Sequence, residues 1–524
     1  MQSPVFDYVV IGSGFGGSVS ALRLAEKGYS VVVLEEGKRY SDDDFPKTNN
    51  NPFRYFWMPK LGCRGFQRIT FFKHAAILGA AGVGGGSINY ANTLLKPPEV
   101  FFESPDLPPS VPWKKELQPF FDLCSQMLRP VKCPVETGMD TVLKKAADET
   151  GVGETWYAED VAVHFGEPDV VVPDPYFDGK GPERAGCSFC GGCMIGCGNG
   201  AKNSLVKNYL YFAEALGVEI LPESKAVDVI PSKDGYIIEY IRPGLLSAKK
   251  RRRIEAKGIV FAGGVVGTLK LLFALQRKGR INVSGMLGHR VRTNSESLIG
   301  VRKHGKDVDY SEGVAITSGT YIDEKTHVEV VRYPNGANAL SILTALLTDK
   351  QKGIWRPLSM FSNMIKHPIR ALRTLNPSGW ARESIILLVM QTEDNCIRLK
   401  AKRRIFGGFK VTSDIEEGSI VVPVYIPQAH NFARTIAKDI EAVPLSNIYE
   451  VFFNASLTAH ILGGCIMGED ESTGVIDTHH RLFGYENLYV ADASVIPANL
   501  GVNPVMTIVA FAERAMSLIP EKNA

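Results

Sequence analysis

The sequence predicts an α/β fold with a Rossmann-like domain built from discontinuous segments and a second, α+β domain floored by a β-sheet. Three observations support this. A strand, a glycine turn and a helix open the chain at residues 7–26, and a strand, an acid, a loop and a helix close it at residues 487–518. Between them, residues 301–449 alternate β-like runs with helical pieces. Similar α/β units at both ends suggest that the chain begins and ends in the same domain.

The composition indicates a large globular protein. The chain has 524 residues, 45% of them hydrophobic and 22% charged, and a formal net charge of +3. This small charge, without basic clusters among aromatic residues, argues against a nucleic-acid partner. The first residues lack the pattern of a secretion signal, and no run approaches eighteen apolar residues. We therefore expect a cytoplasmic protein with reduced thiols.

The N-terminal segment carries a dinucleotide-binding fingerprint. A strand-like run at residues 7–11 precedes Gly12, Gly14 and Gly17, and a helical pattern and a second strand follow. The first glycine allows a tight turn, the second allows a pyrophosphate to approach, and the third allows helix and strand to pack closely. Glu35 ends the second strand and is predicted to bind an adenosine ribose. The alternative is a glycine-rich turn without a ligand.

Two further segments are predicted to contact the same cofactor. The run AAGVGGGSINYAN contains Gly82, Gly84, Gly85, Ser87 and Asn89. Without Cβ atoms, such a run lets the main chain lie against a planar or anionic group, although taken alone it also suits a flexible loop. Near the C-terminus, a strand ends at Asp492, and Pro504 precedes an amphipathic helix.

Several motifs together resemble the glucose-methanol-choline (GMC) flavoprotein oxidoreductases. They are the fingerprint, GVGGGS, FAGGVVGTLKLL, HILGG and GVNP, and KLGC, NYANTL, GAKN and RTNSES further resemble the bacterial, actinobacterial-type cholesterol oxidase branch. The resemblance runs from about residue 5 to residue 518 and implies FAD. Members with covalent flavin have a histidine before the asparagine of the second glycine motif. Ile88 stands there, so non-covalent FAD is implied, with Val227, Asn503 and Pro504 also among its contacts.

The resemblance also divides the chain. Residues 1–100, 200–300 and 450–524 are expected to form the FAD-binding domain, and residues 301–449 the substrate-binding domain. Residues 101–199 read as a loop-rich segment that contains a cysteine cluster.

The resemblance implies two catalytic residues at the flavin. His460, in TAHILGGCIMG, is expected to face the flavin and the substrate hydroxyl, where histidine suits proton transfer at neutral pH. Without the resemblance, a structural histidine would be the more ordinary interpretation. Asn503, in GVNP, is expected to orient the alcohol oxygen, because an amide both donates and accepts hydrogen bonds.

A third catalytic residue is predicted at Glu383. Cholesterol oxidases carry a glutamate over the substrate that moves a proton within the steroid ring. Glu383 begins a strand twelve residues before Asn395, which matches the family spacing. A buried carboxyl there would have a raised pKa suited to this role. The alternative is a surface acid beside Arg382.

The function implied is FAD-dependent oxidation of a 3β-hydroxysteroid or similar lipophilic alcohol by hydride transfer to flavin N5, with possible double-bond isomerisation. The electron acceptor is expected to be O2 or an external acceptor. One alternative is a long-chain or terpenoid alcohol oxidase or dehydrogenase. Another, of a different class, is a lyase or isomerase that uses a flavoprotein scaffold for non-redox chemistry.

The cysteine cluster has the spacing C-x2-C-x2-C-x3-C. Its members are Cys187, Cys190, Cys193 and Cys197. In a reducing compartment this pattern favours an iron–sulfur cluster, since thiolates bind iron well and glycine turns let them converge. Zinc is a second interpretation, although its four thiolates normally come as two separated pairs. A thiol-rich turn without metal is the third.

One amphipathic stretch, at residues 352–380, mixes large apolar side chains with Lys366, Arg370 and Arg373. It could contact an anionic membrane surface transiently. It could equally be an ordinary helix that covers the substrate pocket.

Overall fold

A computed structural model describes residues 5–244, 250–350, 354–404 and 407–522. The sequence-predicted stretch at 352–380 therefore lies partly outside the described residues. The helices in these ranges are α1 (Phe15–Glu26), α2 (Pro52–Tyr55), α3 (Trp113–Leu128), α4 (Gly138–Glu149), α5 (Tyr209–Ala215), α6 (Gly264–Arg277), α7 (Trp355–Lys366), α8 (Pro368–Leu375), α9 (Trp380–Glu383), α10 (Pro427–Asp439), α11 (Ile448–Phe453) and α12 (Val505–Ser517). Residues 101–199 were predicted to be rich in loops, and in the structure they also contain the helices α3 and α4.

The strands are numbered along the same ranges. The first twelve are β1 (Val5–Ile11), β2 (Val31–Leu34), β3 (Trp57–Met58), β4 (Cys63–Arg64), β5 (Gln67–Phe71), β6 (Ala75–Ala80), β7 (Val131–Lys132), β8 (Tyr157–Ala158), β9 (Asp160–Val161), β10 (Val171–Val172), β11 (Arg184–Ala185) and β12 (Glu219–Leu221). The others are β13 (Lys225–Ser232), β14 (Gly235–Ile241), β15 (Arg252–Phe261), β16 (Ser297–Arg302), β17 (Ile316–Tyr321), β18 (Thr326–Val331), β19 (Thr344–Leu346), β20 (Ser384–Gln391), β21 (Ile397–Arg403), β22 (Phe409–Ile415), β23 (Val443–Asn447), β24 (Ser456–Thr458) and β25 (Leu488–Val490).

The first sheet has the order β12-β2-β1-β15-β14-β13, and β25 also pairs with β15. The pairs β12–β2, β2–β1, β1–β15 and β15–β25 are parallel, whereas β14 is antiparallel to both its neighbours. The central strands are apolar along their length and covered on both faces, as parallel strands usually are. The sheet thus joins the N-terminal and C-terminal parts of the chain, in the α/β fold expected.

The second sheet has the order β19-β23-β16-β20-β18-β17-β8, with antiparallel pairing throughout. Its strand β8 comes from the segment 101–199, and β16 starts at residue 297. β8 therefore lies outside the predicted range 301–449, and β16 begins four residues before it. The proposed division into domains stays a prediction.

A third, small sheet contains β24, the strand that precedes His460 in the chain. β24 pairs in parallel with β6, and β6 pairs with β5. Ser456 of β24 lies opposite Ala75 of β6, so the segment that leads to His460 runs beside the strand that leads into the second glycine loop.

Candidate active site

The first glycine turn joins β1 to α1 through close backbone contacts. Gly12 has a φ of +108°, and a Cβ atom there would lie 2.3 Å from the carbonyl oxygen of Ala262. A Cβ atom on Gly17 would lie 2.0 Å from the carbonyl oxygen of Gly12. Only glycine fits at these positions. The first N–H groups of α1 have no side-chain cap, so the turn presents donors suited to an anion.

The second glycine loop lies against the first. A Cβ atom on Gly85 would be 2.4 Å from Cα of Gly14. The amide of Gly84 donates to the hydroxyl of Ser13 at 3.1 Å. The hydroxyl of Ser87 is buried and donates to the carbonyl of Gly84 at 2.7 Å. The two loops therefore form one glycine-lined surface.

Glu35 connects these loops. Its Oε2 accepts hydrogen bonds from the amide and the hydroxyl of Ser13, at 3.2 and 2.7 Å. Its Oε1 accepts from the amides of Gly37 and Gly82, at 2.7 and 3.1 Å. Burial raises the pKa of Glu35, and these hydrogen bonds oppose the shift. The carboxylate thus fixes the spacing of the loops, and its contact with a ribose stays a prediction.

The C-terminal residues predicted to bind the cofactor lie on both sides of a loop. Asp492 follows β25 and accepts a hydrogen bond from the amide of Ser494 at 2.8 Å, as well as one from the hydroxyl of Thr268. Burial raises the pKa of Asp492. Pro504 directly precedes α12. Val227 lies in β13, apart from this loop, where the register with β14 is interrupted.

Buried polar atoms around the loops fit a bound cofactor. Both amide atoms of Asn92 and Oδ1 of Asn503 are buried and have no hydrogen-bond partner among the described residues. Asn89 donates from Nδ2 to Oε1 of Gln67 at 2.8 Å. Unpaired buried groups are costly, so a polar ligand that supplies their partners would stabilise this surface. Together with the glycine surface, they fit a dinucleotide that carries a polar ring system.

His460 lies against a buried carboxylate. Its Nδ1 is 3.0 Å from Oε2 of Glu296, whose side chain is fully buried, while 14% of the His460 side chain stays exposed. Thr458 also donates to this carboxylate, at 2.8 Å. Burial lowers the pKa of His460, but the charges of Glu296 and Glu329 and the Glu296 hydrogen bond outweigh it, and the net shift is upward. With Nδ1 facing Glu296, the other ring nitrogen is the one that can meet a substrate.

The segment RTNSES positions both catalytic motifs. Besides Glu296, it contains Asn294, whose Oδ1 accepts hydrogen bonds from the amides of Leu500 and Gly501, each at 2.9 Å. Nδ2 of Asn294 donates to the carbonyl of Val502 at 3.0 Å. Asn294 thereby holds the loop that ends at Asn503. No role was predicted for Glu296 from the sequence, although an acid in a motif shared with the family was the available signal.

Asn503 contacts a second buried acid. Its Nδ2 donates to Oε2 of Glu329, in β18, at 3.2 Å. Burial raises the pKa of Glu329, against the opposing effects of the Asn503 hydrogen bond and the charge on His460. Glu329 and His460 therefore interact electrostatically. Glu329 thus links Asn503, by a hydrogen bond, with His460, by charge, and the catalytic roles of these two residues stay predictions.

Glu329 belongs to a wider buried cluster. Ligand atoms of Glu159, His327 and Glu329 lie within 4.8 Å of one another. Nε2 of His327 is 2.8 Å from the hydroxyl of Tyr157. Burial lowers the pKa of His327 to about 3 and raises the pKa of Glu159 well above its ordinary value. The sequence signal for this cluster is the buried strand THVEVV. His327 and Glu329 are two residues apart in it and therefore lie on the same face.

The structure places Glu383 in an ion pair with Arg302, and its predicted role over the substrate stays a prediction. Its Oε2 accepts two hydrogen bonds from Arg302, at 3.1 and 3.0 Å, and lies 3.1 Å from Nδ1 of His304. Glu329 pairs with Leu388 of β20, five residues beyond Glu383. At about 3.4 Å per residue, Glu383 lies roughly 17 Å along the strand from that point. Arg302 draws it into a structural ion pair.

The four clustered cysteines do not form a compact metal centre. Within the described ranges, no three cysteine sulfurs lie inside 4.8 Å of one another. Zinc thiolates converge more closely than this, since each Zn–S bond is about 2.3 Å. The zinc interpretation is therefore not supported, and the iron–sulfur cluster stays a prediction. Lys202 anchors the turn to the second glycine loop, because its buried amine donates to the carbonyls of Ile88, Tyr90 and Cys193 at 2.8, 3.0 and 2.8 Å.

In the described part of the chain, no helix has both the length and the apolar character needed to cross a membrane.

Comparisons with known proteins agree with this geometry. The chain is 44% identical to a cholesterol oxidase of Acinetobacter baumannii, over 99% of this chain and 95% of that protein. It is also 44% identical to a cholesterol oxidase of Mycobacterium tuberculosis, over 99% of this chain and 92% of that one. A long-chain-alcohol oxidase of Arabidopsis thaliana is 24% identical, over 97% and 66% of the two chains.

Family models and solved structures agree with these relatives. A family model described as GMC oxidoreductase matches residues 412–512, and one described as NAD(P)-binding Rossmann-like domain matches residues 10–57. The crystal structure of a pyridoxine 4-oxidase shares the fold, with a TM-score of 0.64, 17% identity and 98% of each chain covered. The chain therefore belongs to the GMC oxidoreductase family, as an FAD-dependent oxidoreductase that acts on CH–OH donors.

Proposed function

We propose that the enzyme oxidises the 3β-hydroxyl of a cholesterol-like sterol to a ketone. The observation that carries this proposal is the contact of His460 with the buried carboxylate of Glu296, in a chain 44% identical to proteins described as cholesterol oxidases. A histidine backed by a carboxylate is suited to remove a proton from an alcohol. FAD, when bound along the glycine surface, supplies the two-electron acceptor for the hydride.

His460 acts as the base for the hydroxyl proton. Because Nδ1 faces Glu296, that nitrogen carries the proton of the neutral ring and Nε2 has the free electron pair. The hydroxyl proton moves to Nε2, and the carboxylate of Glu296 stabilises the resulting imidazolium. Asn503 orients the alcohol oxygen through its unpaired Oδ1 or through its amide hydrogens.

Glu329 takes the role first predicted for Glu383. Its carboxylate removes a proton from the ring carbon between the new ketone and the double bond and returns it at the far end of that double bond. The steroid is isomerised with no net gain or loss of protons. A raised pKa suits a group that both takes and releases a proton near neutral pH.

We propose dioxygen as the electron acceptor. It takes two electrons and two protons and leaves as hydrogen peroxide, and the relatives' description as oxidases supports this. The iron–sulfur prediction for the cysteine segment would instead lead electrons to another acceptor. Iron and acid-labile sulfide in anaerobically purified enzyme, with peroxide formation under air, decide between them. A cytoplasmic location stays a prediction.

Anaerobic mixing of the holoenzyme with cholesterol tests the reaction. We expect the absorbance of oxidised flavin to bleach at the rate of ketone formation. Product that forms while the flavin stays oxidised would overturn the proposal in favour of non-redox chemistry. Faster bleaching by a long-chain alcohol, the substrate named in the description of the Arabidopsis relative, would reassign the substrate.

A further inference from the structure

Helix α8 places its large apolar side chains in solvent. Ile369, Leu372 and Leu375 are 66%, 71% and 59% exposed, while the residues of the helix that are buried against the protein are Ala371 and Thr374. A surface helix normally shows the opposite arrangement, with large apolar residues inward. Covering a pocket would not require this outward apolar face.

Helix α7 continues the same surface. Trp355, Leu358, Phe361 and Ile365 are exposed and share one face, whereas Arg356 and Met360 are buried on the other. The ring of Phe361 lies 5.8 Å from that of Phe452, in α11, which is also exposed. The apolar patch comprises Trp355, Leu358, Phe361, Ile365, Ile369, Leu372, Leu375, Phe452 and Phe453.

The inner sides of α7 and α8 both pack on β19, so their outer sides point away from the same sheet edge. Arg356 anchors α7 from beneath, because its guanidinium donates to the carbonyls of Val424, Glu450 and Thr348 at 2.9, 3.1 and 3.3 Å. The patch is therefore a fixed, contiguous part of the surface. Exposed apolar areas of this kind usually mark an interaction site.

Positive charge accompanies the apolar patch. Lys366, Arg370 and Arg373 are exposed, and none of them forms a salt bridge with another residue in the described ranges. No acidic residue occurs between Lys350 and Arg382. An apolar surface flanked by these basic side chains matches the headgroups and acyl chains of an anionic lipid leaflet. A symmetric contact between two copies would bring these cations together and is disfavoured.

We propose that the apolar patch docks the enzyme on an anionic lipid bilayer, with α7 and α8 lying in the interface. The large side chains enter the headgroup and acyl boundary, and the three cations contact anionic headgroups. Aromatic residues such as Trp355 and Phe361 suit this boundary, because their rings prefer the membrane interface. The binding itself does not depend on the substrate.

The patch adjoins the segment that leads to His460. Phe453 precedes His460 by seven residues, with β24 between them, so the two are separated by at most about 25 Å. Docking at the patch therefore brings a lipophilic alcohol in the bilayer within about that distance of His460. This use of the surface rests on the proposed sterol substrate.

Co-sedimentation of the holoenzyme with vesicles tests the docking. Vesicles of phosphatidylcholine alone are compared with vesicles that contain about 30% phosphatidylserine, which gives the vesicles a roughly physiological negative surface charge. Ile369→Ser/Leu372→Ser removes apolar side chains, and Arg370→Gln/Arg373→Gln removes cations. Leu216→Ser and Lys233→Gln are matched controls, because both residues are exposed elsewhere on the surface.

We expect binding to the anionic vesicles that weakens with salt. Loss of two cations should reduce partitioning roughly 25-fold, since each cation near an anionic leaflet contributes about a fivefold change. The apolar double variant should lose binding, and the controls should bind as wild type. Turnover of detergent-solubilised cholesterol should be unchanged in all variants, which separates docking from the chemistry.

Equal binding of wild type to both vesicle types, or wild-type binding by both double variants, would overturn the proposal. A concentration-dependent dimer in sedimentation velocity that Ile369→Ser/Leu372→Ser abolishes, without vesicle binding, would assign the patch to a second copy instead. Failure of the enzyme to turn over solubilised cholesterol would count against the substrate and not against the surface.

Discussion

Asn503 donates a hydrogen bond from its Nδ2 to Oε2 of Glu329 at 3.2 Å, across a sequence separation of 174 residues. Asn503 stands just before α12, beside the glycine loops, and Glu329 lies in β18 of the second sheet. The bond therefore joins the side of the site that fits the cofactor to the sheet expected to receive the substrate. Because both groups are buried, neither can lose its partner without cost.

Glu329→Gln should separate the two reactions. Oxidation is expected to remain within about tenfold, and double-bond migration to fall at least about 100-fold, because an amide cannot take the ring proton. The amide can still accept the bond from Asn503. Chromatography that resolves the unconjugated from the conjugated ketone measures the ratio of the two products. Glu383→Gln is the matched control and should give the conjugated product as wild type does; conjugated product at the wild-type rate from Glu329→Gln would refute the assignment.

His460→Gln should slow flavin reduction about 10²- to 10⁴-fold, because the base for the hydroxyl proton is removed. FAD should remain bound, which the flavin absorbance after gel filtration reports. Rapid mixing with substrate under anaerobic conditions gives the rate. His289→Gln is the control, since His289 also faces a glutamate, with Nδ1 2.8 Å from Glu416, outside the site. Equal slowing in both variants would show that the effect is not specific to the base.

Glu296→Gln should move the acidic limb of the pH profile. Protonated His460 cannot accept the hydroxyl proton, so kcat/KM falls as the pH drops through the pKa of His460. The carboxylate of Glu296 raises that pKa, and its removal should shift the limb to lower pH. The plateau should also fall about 10- to 100-fold, because the ring loses its orienting partner. An unchanged limb would mean that another group sets the profile.

Glu159→Gln should make stability less sensitive to pH. Burial raises the pKa of Glu159 well above its ordinary value, so the folded protein keeps a proton that the unfolded chain releases. The free energy of unfolding therefore falls by about 1.4 kcal/mol per pH unit above the ordinary glutamate pKa, until the folded-state pKa is passed. Urea unfolding at pH 5 and pH 8 measures this, and the variant should lose less stability between them. A steeper loss in the variant would contradict the buried, neutral state.

Glu383→Ala should act on stability and not on chemistry. It leaves Arg302 buried without its carboxylate, which costs about 3–5 kcal/mol. Arg302 also donates to the carbonyls of Asn376 and Ser378, each at 2.6 Å, so the end of α8 should loosen first. Urea unfolding gives the loss, and hydrogen exchange locates it. Activity on solubilised substrate per folded molecule should be unchanged; a selective loss of isomerisation would return Glu383 to the site.

The orientation of the helices in the amphipathic stretch could not be predicted from the sequence pattern. Its mixture of basic and apolar residues predicted either a membrane contact or a cover for the pocket. Periodicity locates an apolar face but does not say which way the helix is turned. The exposure of Leu372 and the burial of Ala371 decide this in the structure, because packing on β19 selects the small side chains.

The glycine turns and the strands beside them follow from the sequence by itself, because short-range backbone geometry requires glycine at those spacings. The motifs around His460 and Asn503 were found in the sequence only through the resemblance to a family. Tertiary structure alone decides which acids serve the site. Glu329 lies in β18 and Glu383 directly precedes β20 of the same sheet. Contacts with distant segments give the first Asn503 as its partner and the second Arg302. The separation of the cysteine sulfurs and the pairing of Glu296 with His460 depend in the same way on contacts between distant segments, which spacing along a chain does not encode.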